Sequence, residues 1–264
     1  GRLFFRASDG TDGVELWRSD GTPGGTVMVK DVNSGVGGSS PGGLIVVGGT
    51  VFFRADDGIN GVELWKSDGT AGATVMVKDI NAGVASSEPY LLTAVGSTLF
   101  FRADDGTNGE ELWKSDGTAS GTVMVKDINP GSAWSLLASL TGFCGTLFFR
   151  ADDGTNGGEL WKSDGTPGGT VMVKDTNPGS GGSTLWWLTV LDGTLFFDAS
   201  DGVNGHELWK SDGTEAGTAM AKDIYPGSIC STPLWLTAVG GTLFFRPMTA
   251  PTALSSGPGA TLPR

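Results

Sequence analysis

The sequence predicts an all-β fold, a five-bladed β-propeller built from 48-residue, four-stranded blades. First, the motif ELWKSDGT, or ELWRSDGT in the first copy, recurs every 48 residues without insertion or deletion. Second, every repeat holds four short runs rich in β-forming residues, separated by glycine-rich turns. Third, no convincing helical periodicity is present. A repeat of this period indicates a solenoid or a propeller. Four antiparallel strands per repeat favour the propeller over a right-handed β-helix, which uses shorter rungs and fewer tight hairpins.

The four predicted strands of each repeat, A to D, follow one another along the chain. In residues 91–103, LLTAVGSTLFFRA, strands A and B flank Gly96-Ser97, which suits a two-residue hairpin turn. The polar loop ADDGTNG then leads to strand C with ELWKS, and the turn SDGT leads to strand D with VMVK. A long loop leads on to the next strand A. The D-to-A and B-to-C loops should therefore share one face of the ring.

The ends of the chain predict how the ring closes. Strands A, C and D each occur five times, so strand A at residues 235–239 should join the N-terminal blade begun at residues 3–32. The copy of strand B at 243–246 would then be surplus and displaced. Pairing through the local Gly240-Gly241 hairpin, or between chains as a swapped dimer, are the alternatives.

One propeller domain is therefore predicted over residues 1–246, with a Pro/Ala/Ser-rich tail at 247–264 predicted to be disordered. The repeats start near residues 3, 51, 99, 147 and 195, with a partial sixth at 243.

Composition excludes several classes of function. The 264-residue chain carries a formal charge of −12, which argues against binding to nucleic acid or anionic membranes. No apolar run is long enough to span a membrane, so we expect no membrane insertion, and no signal peptide is visible in this chain. Cys144 and Cys230 should lie on opposite faces and form no disulfide. The single histidine, His206, is expected to be a solvated residue at a loop end.

The invariant residues of the repeat favour structural roles. If strands C and D pair across the SDGT turn, Trp17 faces Met28 and Glu15 faces Lys30. The first pair would be a sulfur–aromatic contact and the second a cross-strand ion pair. Asp20 suits turn chemistry. A catalytic role for Glu15 and a ligand role for Asp20 are the alternatives.

The B-to-C loops gather oxygen-bearing side chains. Asp104, Asp105 and Asn108, with their equivalents, form a candidate calcium site, because calcium prefers oxygen ligands, although the same composition is ordinary for a loop. The Asp and Asn of these loops are also candidate ligand-binding residues. They are Asp57, Asn60, Asp105, Asn108, Asp153, Asn156, Asp201 and Asn204.

The D-to-A loops differ most between copies and carry large aromatic residues. The candidates for ligand binding are Tyr90, Trp134, Trp186 and Trp235. Exposed aromatic rings beside Asp and Asn loops suit sugar stacking and hydroxyl recognition. Packing between blades, or lining of a central channel, is the competing interpretation.

The unit GTNGxELWKSDGTxxGTxMVKDINPGS, matched over residues 1–246, resembles the ELWxxDGT repeat of bacterial, often secreted or surface-associated proteins. The resemblance implies a propeller-like tandem repeat and an extracellular or cell-surface location. In architecture alone, the five-bladed count is similar to tachylectin-like propellers.

The expected function is a non-enzymatic binding or adhesion module for neutral glycans, with several equivalent sites at blade junctions and no cofactor other than the calcium above. The alternative is a scaffold that binds a surface protein and no small ligand. An enzyme that uses the central channel is disfavoured, because identical copies offer no asymmetric catalytic constellation.

Overall fold

A computed structural model describes residues 1–246 of the chain, and the predicted disordered tail at 247–264 lies outside the described residues. The described part is all-β and consists of six antiparallel sheets in chain order. It contains no helix long and apolar enough to cross a membrane.

Four of the sheets are complete four-stranded blades in which each strand pairs with its neighbours in sequence. Their strands are β4 (Gly42–Val47), β5 (Thr50–Asp56), β6 (Val62–Ser67), β7 (Val75–Lys78), β8 (Tyr90–Val95), β9 (Thr98–Asp104), β10 (Glu110–Ser115), β11 (Val123–Lys126), β12 (Ala138–Phe143), β13 (Thr146–Asp152), β14 (Gly158–Ser163), β15 (Val171–Lys174), β16 (Trp186–Leu191), β17 (Thr194–Ser200), β18 (His206–Ser211) and β19 (Ala219–Lys222).

Two partial sheets, here called the terminal sheets, lie at the ends of the series. The first holds three strands and the last holds two. Their strands are β1 (Leu3–Ser8), β2 (Val14–Ser19), β3 (Val27–Lys30), β20 (Leu234–Val239) and β21 (Thr242–Arg246).

The first strands of successive sheets stand side by side, with β4 beside β8, β8 beside β12, β12 beside β16 and β16 beside β20. Such a row of inner strands is the arrangement of a propeller-like fold, with the later strands of each blade further out. The inner hairpins turn where the sequence predicts. Cys144 and Gly145 have φ of 49° and 74°, and Asp192 and Gly193 have 46° and 73°, as a type I′ turn requires.

The ring closure differs from the prediction. Strand β20 pairs with β21 through Gly240-Gly241, whereas among residues 1–246 β1 pairs with β2 alone. Residues 243–246 are therefore not displaced but form a local hairpin. A two-residue loop costs far less closure entropy than joining segments from opposite ends of the chain.

The blades are held together by apolar layers between their faces. Phe52 on one face of its blade packs in the same cluster as Phe101 and Trp113 of the next blade. Phe53, on the opposite face, packs against Leu16 of the preceding sheet. Successive residues of a strand point to opposite faces, so burial of both faces accounts for the unbroken apolar runs of strand B.

The pairing of β6 with β7 corrects one predicted contact. Trp65 lies opposite Met76, the predicted pairing, but a bulge between Leu64 and Trp65 places Lys78 opposite Leu64 instead of Glu63. The first sheet has the same register, so the predicted Glu15–Lys30 ion pair is wrong. A bulge inserts one extra residue and turns every later side chain to the other face.

The freed lysines join neighbouring blades. Lys30 Nζ donates to the Thr74 carbonyl at 2.9 Å and lies 5.9 Å from the centre of the Trp65 ring. Lys78 makes the same two contacts with Thr122 and Trp113. The lysine of the VMVK strand therefore links successive blades.

Candidate functional site

A buried glutamate shapes the D-to-A loop in every repeat. The Glu63 carboxylate accepts hydrogen bonds from the amides of Ile80, Asn81 and Ser87 at 3.0, 3.4 and 3.0 Å, and from the Ser87 hydroxyl at 2.6 Å. The side chain is fully buried. Its role is to hold the loop that carries the aromatic residues. The corresponding residues are Glu15, Glu111, Glu159 and Glu207.

The inner strands begin with a bulge that turns aromatic side chains outward. The ladder of β16 and β17 shifts register between Trp186 and Thr189, and Trp187 has a left-handed backbone with φ of 61°. Leu91 and Trp235 share this conformation, with φ of 59° and 56°. Because the bulge re-aims neighbouring side chains, Trp186 and Trp187 are both exposed, at 43 % and 40 %.

The predicted aromatic residues are partly exposed to solvent and form a surface near the starts of the inner strands. We call it the aromatic face, and it consists of Tyr90, Trp134, Trp186, Trp187 and Trp235. Trp134 and Trp235 expose 53 % and 55 % of their surface, and Tyr90 exposes 38 %. The rings belong to four different blade junctions, and only Trp186 and Trp187 are adjacent. The face is therefore a series of aromatic positions, with Trp134 in a D-to-A loop and the others at the starts of inner strands.

The B-to-C loop touches the D-to-A loop, as their predicted common face requires. A Cβ atom at Gly109 would lie 2.9 Å from Cδ1 of Trp134, and the φ of Gly109 is +70°. Both the close approach and the left-handed backbone require glycine at this position. The glycine therefore lets the two loops meet.

The Asp and Asn residues of the B-to-C loops bind each other. Asp105 Oδ1 accepts hydrogen bonds from the Thr107 and Asn108 amides, and Oδ2 accepts one from Asn108 Nδ2 at 2.8 Å. Burial alone would raise the pKa of Asp105, but these hydrogen bonds outweigh it and lower the pKa. The same contacts occur in the other loops, at Asp57–Asn60, Asp153–Asn156 and Asp201–Asn204.

Calcium at these loops stays a prediction. Within residues 1–246, no three His, Cys, Asp or Glu side chains form a group that could hold a metal ion. Asp104 Oδ1 accepts the Gly106 amide at 2.7 Å, and Asp105 is engaged by Asn108. A cation would have to compete with these hydrogen bonds.

Arginine side chains, which the repeat pattern does not mark as site residues, lie against the aromatic face. Two guanidinium groups lie near the Tyr90 ring, that of Arg54 at 3.9 Å and that of Arg102 at 5.3 Å from the ring centre. Arg54 pairs with Glu88 at 2.9 Å and Arg102 with Glu110 at 3.1 Å. The contacts are cation–π stacks supported by ion pairs.

The β16–β19 blade carries a different group at the arginine position. Asp198 stands where four earlier copies and the partial sixth have Arg, and it is only 2 % exposed. His206 Nδ1 lies 3.2 Å from each of its carboxylate oxygens. The expectation that His206 is solvated is therefore wrong, because its imidazole contacts the Asp198 carboxylate and packs against the sheet.

This pair lines a cavity of about 390 Å³ together with Trp186 and Trp187. The hydrogen bond to Asp198 raises the pKa of His206 despite its burial, and burial raises the pKa of Asp198. The sequence held a signal for this pair. Ser200 lies opposite His206 in the ladder, so Asp198, two residues before Ser200, lies on the same face of the sheet.

The two cysteines are both free thiols, with Cys144 exposed at its hairpin turn and Cys230 partly exposed in a D-to-A loop. Cys144 borders a second cavity with Phe148, Lys162 and Asp212.

No protein-family model matches the chain, and no curated protein matches it. Among solved structures, it is similar to a prolyl endopeptidase, with a TM-score of 0.50 and 12 % identity, covering 83 % of this chain and 32 % of that one. It is also similar to a puromycin hydrolase, with a TM-score of 0.49 and 17 % identity over 84 % of this chain and 38 % of that one. For a putative TolB from Agrobacterium tumefaciens the TM-score is 0.45 and the identity 12 %, over 85 % and 78 %.

The chain therefore spans about a third of the two enzymes that it resembles. At these identities the likeness shows the fold alone. The expectation of a non-enzymatic protein is contradicted, because a prolyl endopeptidase contains a similar fold, so this fold gives no ground for excluding catalysis. The repeats are also not identical at this position, since Asp198 and His206 make one blade unlike the others.

Proposed function

We propose that the chain is a ligand-binding module whose binding surface is the aromatic face, with neutral glycans as the leading class of ligand. The observation that supports this most directly is the exposure of its rings, which ranges from 38 % for Tyr90 to 55 % for Trp235. Large aromatic side chains are usually mostly buried in the absence of a partner. Half-exposed indole and phenol rings suit stacking on the apolar faces of sugar rings.

The neighbouring charges support a neutral or weakly polar ligand. Arg54 and Arg102 already pair with Glu88 and Glu110, so their charges are locally balanced. Their remaining N–H groups can still donate hydrogen bonds to hydroxyl oxygens. Because the aromatic positions recur at successive junctions, several weak sites on one rigid support would strengthen binding to a multivalent surface by avidity.

An extracellular or cell-surface location and membership of the bacterial ELWxxDGT-repeat family belong to the same proposal. Both rest on the repeat motif, whose spacing of 48 residues is uniform along the chain.

A glycan array followed by calorimetry tests the proposed binding. We expect binding to at least one neutral glycan with more than one site per chain, and a loss of about tenfold in affinity for Trp134→Ala or Trp235→Ala, since a stacked ring contributes roughly 1–2 kcal/mol. Phe244→Ala is the matched control, because Phe244 is an aromatic residue 57 % exposed on a terminal sheet. An array without hits, or full affinity in both tryptophan variants, would contradict the proposal.

A scaffold that binds a protein partner is the second candidate function. It is favoured by the exposed apolar residues of the terminal sheets, where Leu3 is 64 % and Phe244 57 % exposed. Leu3→Ser and Phe244→Ser should then weaken capture of a defined partner while leaving any glycan binding unchanged. Partner binding that survives both substitutions would argue against this surface.

We also propose that the chain can form a ring of five blades, in which β20 completes the first terminal sheet. In each complete blade the strand equivalent to β1 pairs with the third strand on one edge and with an inner strand on the other. In the first terminal sheet that second edge of β1 has no inner strand among residues 1–246. Strand β20 would occupy this edge if it separated from β21. Deleting residues 243–264 tests this exchange. A truncated chain that folds cooperatively as a monomer would support it, and loss of folding would rule it out.

A further inference from the structure

The junction around Asp198 differs from the equivalent junction around Arg102 in one respect that suggests a ligand. In the β8–β11 blade, Arg102 stacks on Tyr90 and pairs with Glu110. In the β16–β19 blade the equivalent residues, 96 positions later, are Asp198, Trp186 and His206. The aromatic ring is kept, whereas the guanidinium group is replaced by a shorter side chain of opposite charge.

The result is an open pocket at the position that an arginine fills elsewhere. The cavity measures about 390 Å³, and Trp186, Trp187, Leu234, Asp198 and His206 contribute to its walls. Its volume falls within the range of roughly 300–1,000 Å³ that is usual for small-ligand sites. The walls combine indole rings with a nearly buried carboxylate, which is the chemistry that holds a planar organic cation.

We propose that this cavity binds the guanidinium group of a ligand, which takes the place that the Arg102 guanidinium occupies beside Tyr90. The Asp198 carboxylate accepts hydrogen bonds from the cation, and the free side of the Trp186 ring stacks against it. This site involves one blade and one cation, and it does not require glycans to bind the rest of the aromatic face.

The molecule itself shows that one aromatic ring can carry two guanidinium groups. Tyr90 lies 3.9 Å from Arg54 and 5.3 Å from Arg102. At Trp186, Arg150 of the preceding blade already lies 5.1 Å from the ring centre. The ligand would supply the second cation, and Asp198 would offset the repulsion between the two charges.

His206 sets the pH dependence of this site. Its Nδ1 is 3.2 Å from both Asp198 oxygens, so the imidazolium form competes with a ligand cation for the same carboxylate. The charged groups that face the imidazole are Asp198 and Glu207, and Arg150 lies against the neighbouring Trp186 ring. By linkage, binding of a cation should favour neutral His206, and the affinity should rise as His206 loses its proton.

A titration with methylguanidinium, followed by the imidazole proton resonances in ¹H NMR, tests the proposal. The chain has a single histidine, so these resonances report on this site alone. We expect a saturable shift, and an affinity at least about threefold higher at about pH 8 than at about pH 5.5. Methylurea, a neutral molecule of the same shape, should cause no saturable shift. An equal response to both probes, or none to methylguanidinium, would overturn the proposal.

Two substitutions locate the bound cation. Asp198→Asn should weaken methylguanidinium binding by about tenfold or more, because a charge-assisted hydrogen bond is replaced by a neutral one. Asp198→Arg restores the residue of the other copies and should abolish binding by filling the pocket. It also serves if the asparagine variant fails to fold. Asp192→Asn, at an inner hairpin turn, is the matched control and should bind normally. Retained binding in Asp198→Arg would refute the site.

The source of the guanidinium group can be distinguished with a second probe, N-acetyl-arginine amide. Binding equal to that of methylguanidinium would assign the site to small free guanidines, and clearly tighter binding would assign it to arginine residues of peptides. Binding of neither probe would contradict the proposal.

Discussion

The same four residues, LFFR, occur at 99–102 in a complete blade and at 243–246 in a terminal sheet, and their environments differ sharply. Phe100 is 3 % exposed and packs on the next blade, whereas Phe244 is 57 % exposed. Both segments form the second strand of a hairpin with the same register. Local sequence therefore determines the strand and its pairing, but burial depends on whether another blade covers the face.

The largest expected effect comes from truncating the two phenylalanines. Phe100→Ala should lower the free energy of unfolding by about 4 kcal/mol, because it removes a buried ring and leaves a cavity. Phe244→Ala should change it by less than about 0.5 kcal/mol, as for other exposed positions. Urea unfolding of both variants measures the difference. A large loss for Phe244→Ala would show that this terminal sheet is covered in solution.

Removing the buried glutamate should lower the free energy of unfolding by similar amounts in a complete blade and in the first terminal sheet. Glu63 and Glu15 are both buried and bind their loops in the same way. Glu63→Ala should cost about 3 kcal/mol, since several buried amides lose their acceptor, and Glu15→Ala in the first terminal sheet should cost a similar amount. Glu215→Ala, at an exposed turn, is the control and should be neutral. A much smaller cost at Glu15 would show that the terminal loop has little order of its own.

Glu111 should make stability depend on pH. Burial raises the pKa of Glu111 from 4.5 to about 7, against hydrogen bonds from Ile128 and Asn129 that lower it. The folded-state pKa of Glu111 exceeds its unfolded value, so protonated Glu111 favours the folded state. This contribution to the free energy of unfolding is fully present below pH 4.5 and is lost as the pH rises through about 7.

Between about pH 5 and about pH 8, the free energy of unfolding of the native chain should fall by roughly 2 kcal/mol relative to Glu111→Gln. Parallel urea titrations of both proteins measure this difference, in which contributions from other groups cancel. A constant difference between the two proteins across this range would show that Glu111 ionises normally.

The smallest expected effect concerns the lysines that bridge blades. Lys114 Nζ donates to the Gly165 carbonyl of the next blade at 2.7 Å, whereas Lys210, the equivalent in the last complete blade, is exposed. Lys114→Met should cost about 1 kcal/mol, and Lys210→Met should be neutral. Equal costs in thermal or urea unfolding would indicate that Lys210 also has a partner in solution.

Much of the fold could be predicted from the repeat. Three features depend on residues that lie close together in the repeat. They are the inner hairpin turns at Cys144-Gly145 and Asp192-Gly193, the pairing of Trp65 with Met76, and the contact between the B-to-C and D-to-A loops. The ion pair of Glu15 with Lys30 could not be predicted correctly, since a single bulge after Leu16 changes the partner of both residues.

The candidate site was predictable only in part. The aromatic residues Trp134, Trp186 and Trp235 stand out as differences between copies, and each is about half exposed in the structure. The stacking of Arg54 on Tyr90 depends on the distance between two blades, which no local pattern contains. Asp198 and His206 were visible as departures from the repeat, but their contact became evident only from the strand ladder.

By itself, the sequence determined the strands, their hairpin turns and the 48-residue register, because these depend on residue-level preferences for extended and left-handed backbone. The tertiary structure decided which faces are buried and where each lysine and glutamate finds its partner. These outcomes depend on the free energy of bringing distant segments together, and a repeated sequence offers several segments that could compete for the same position.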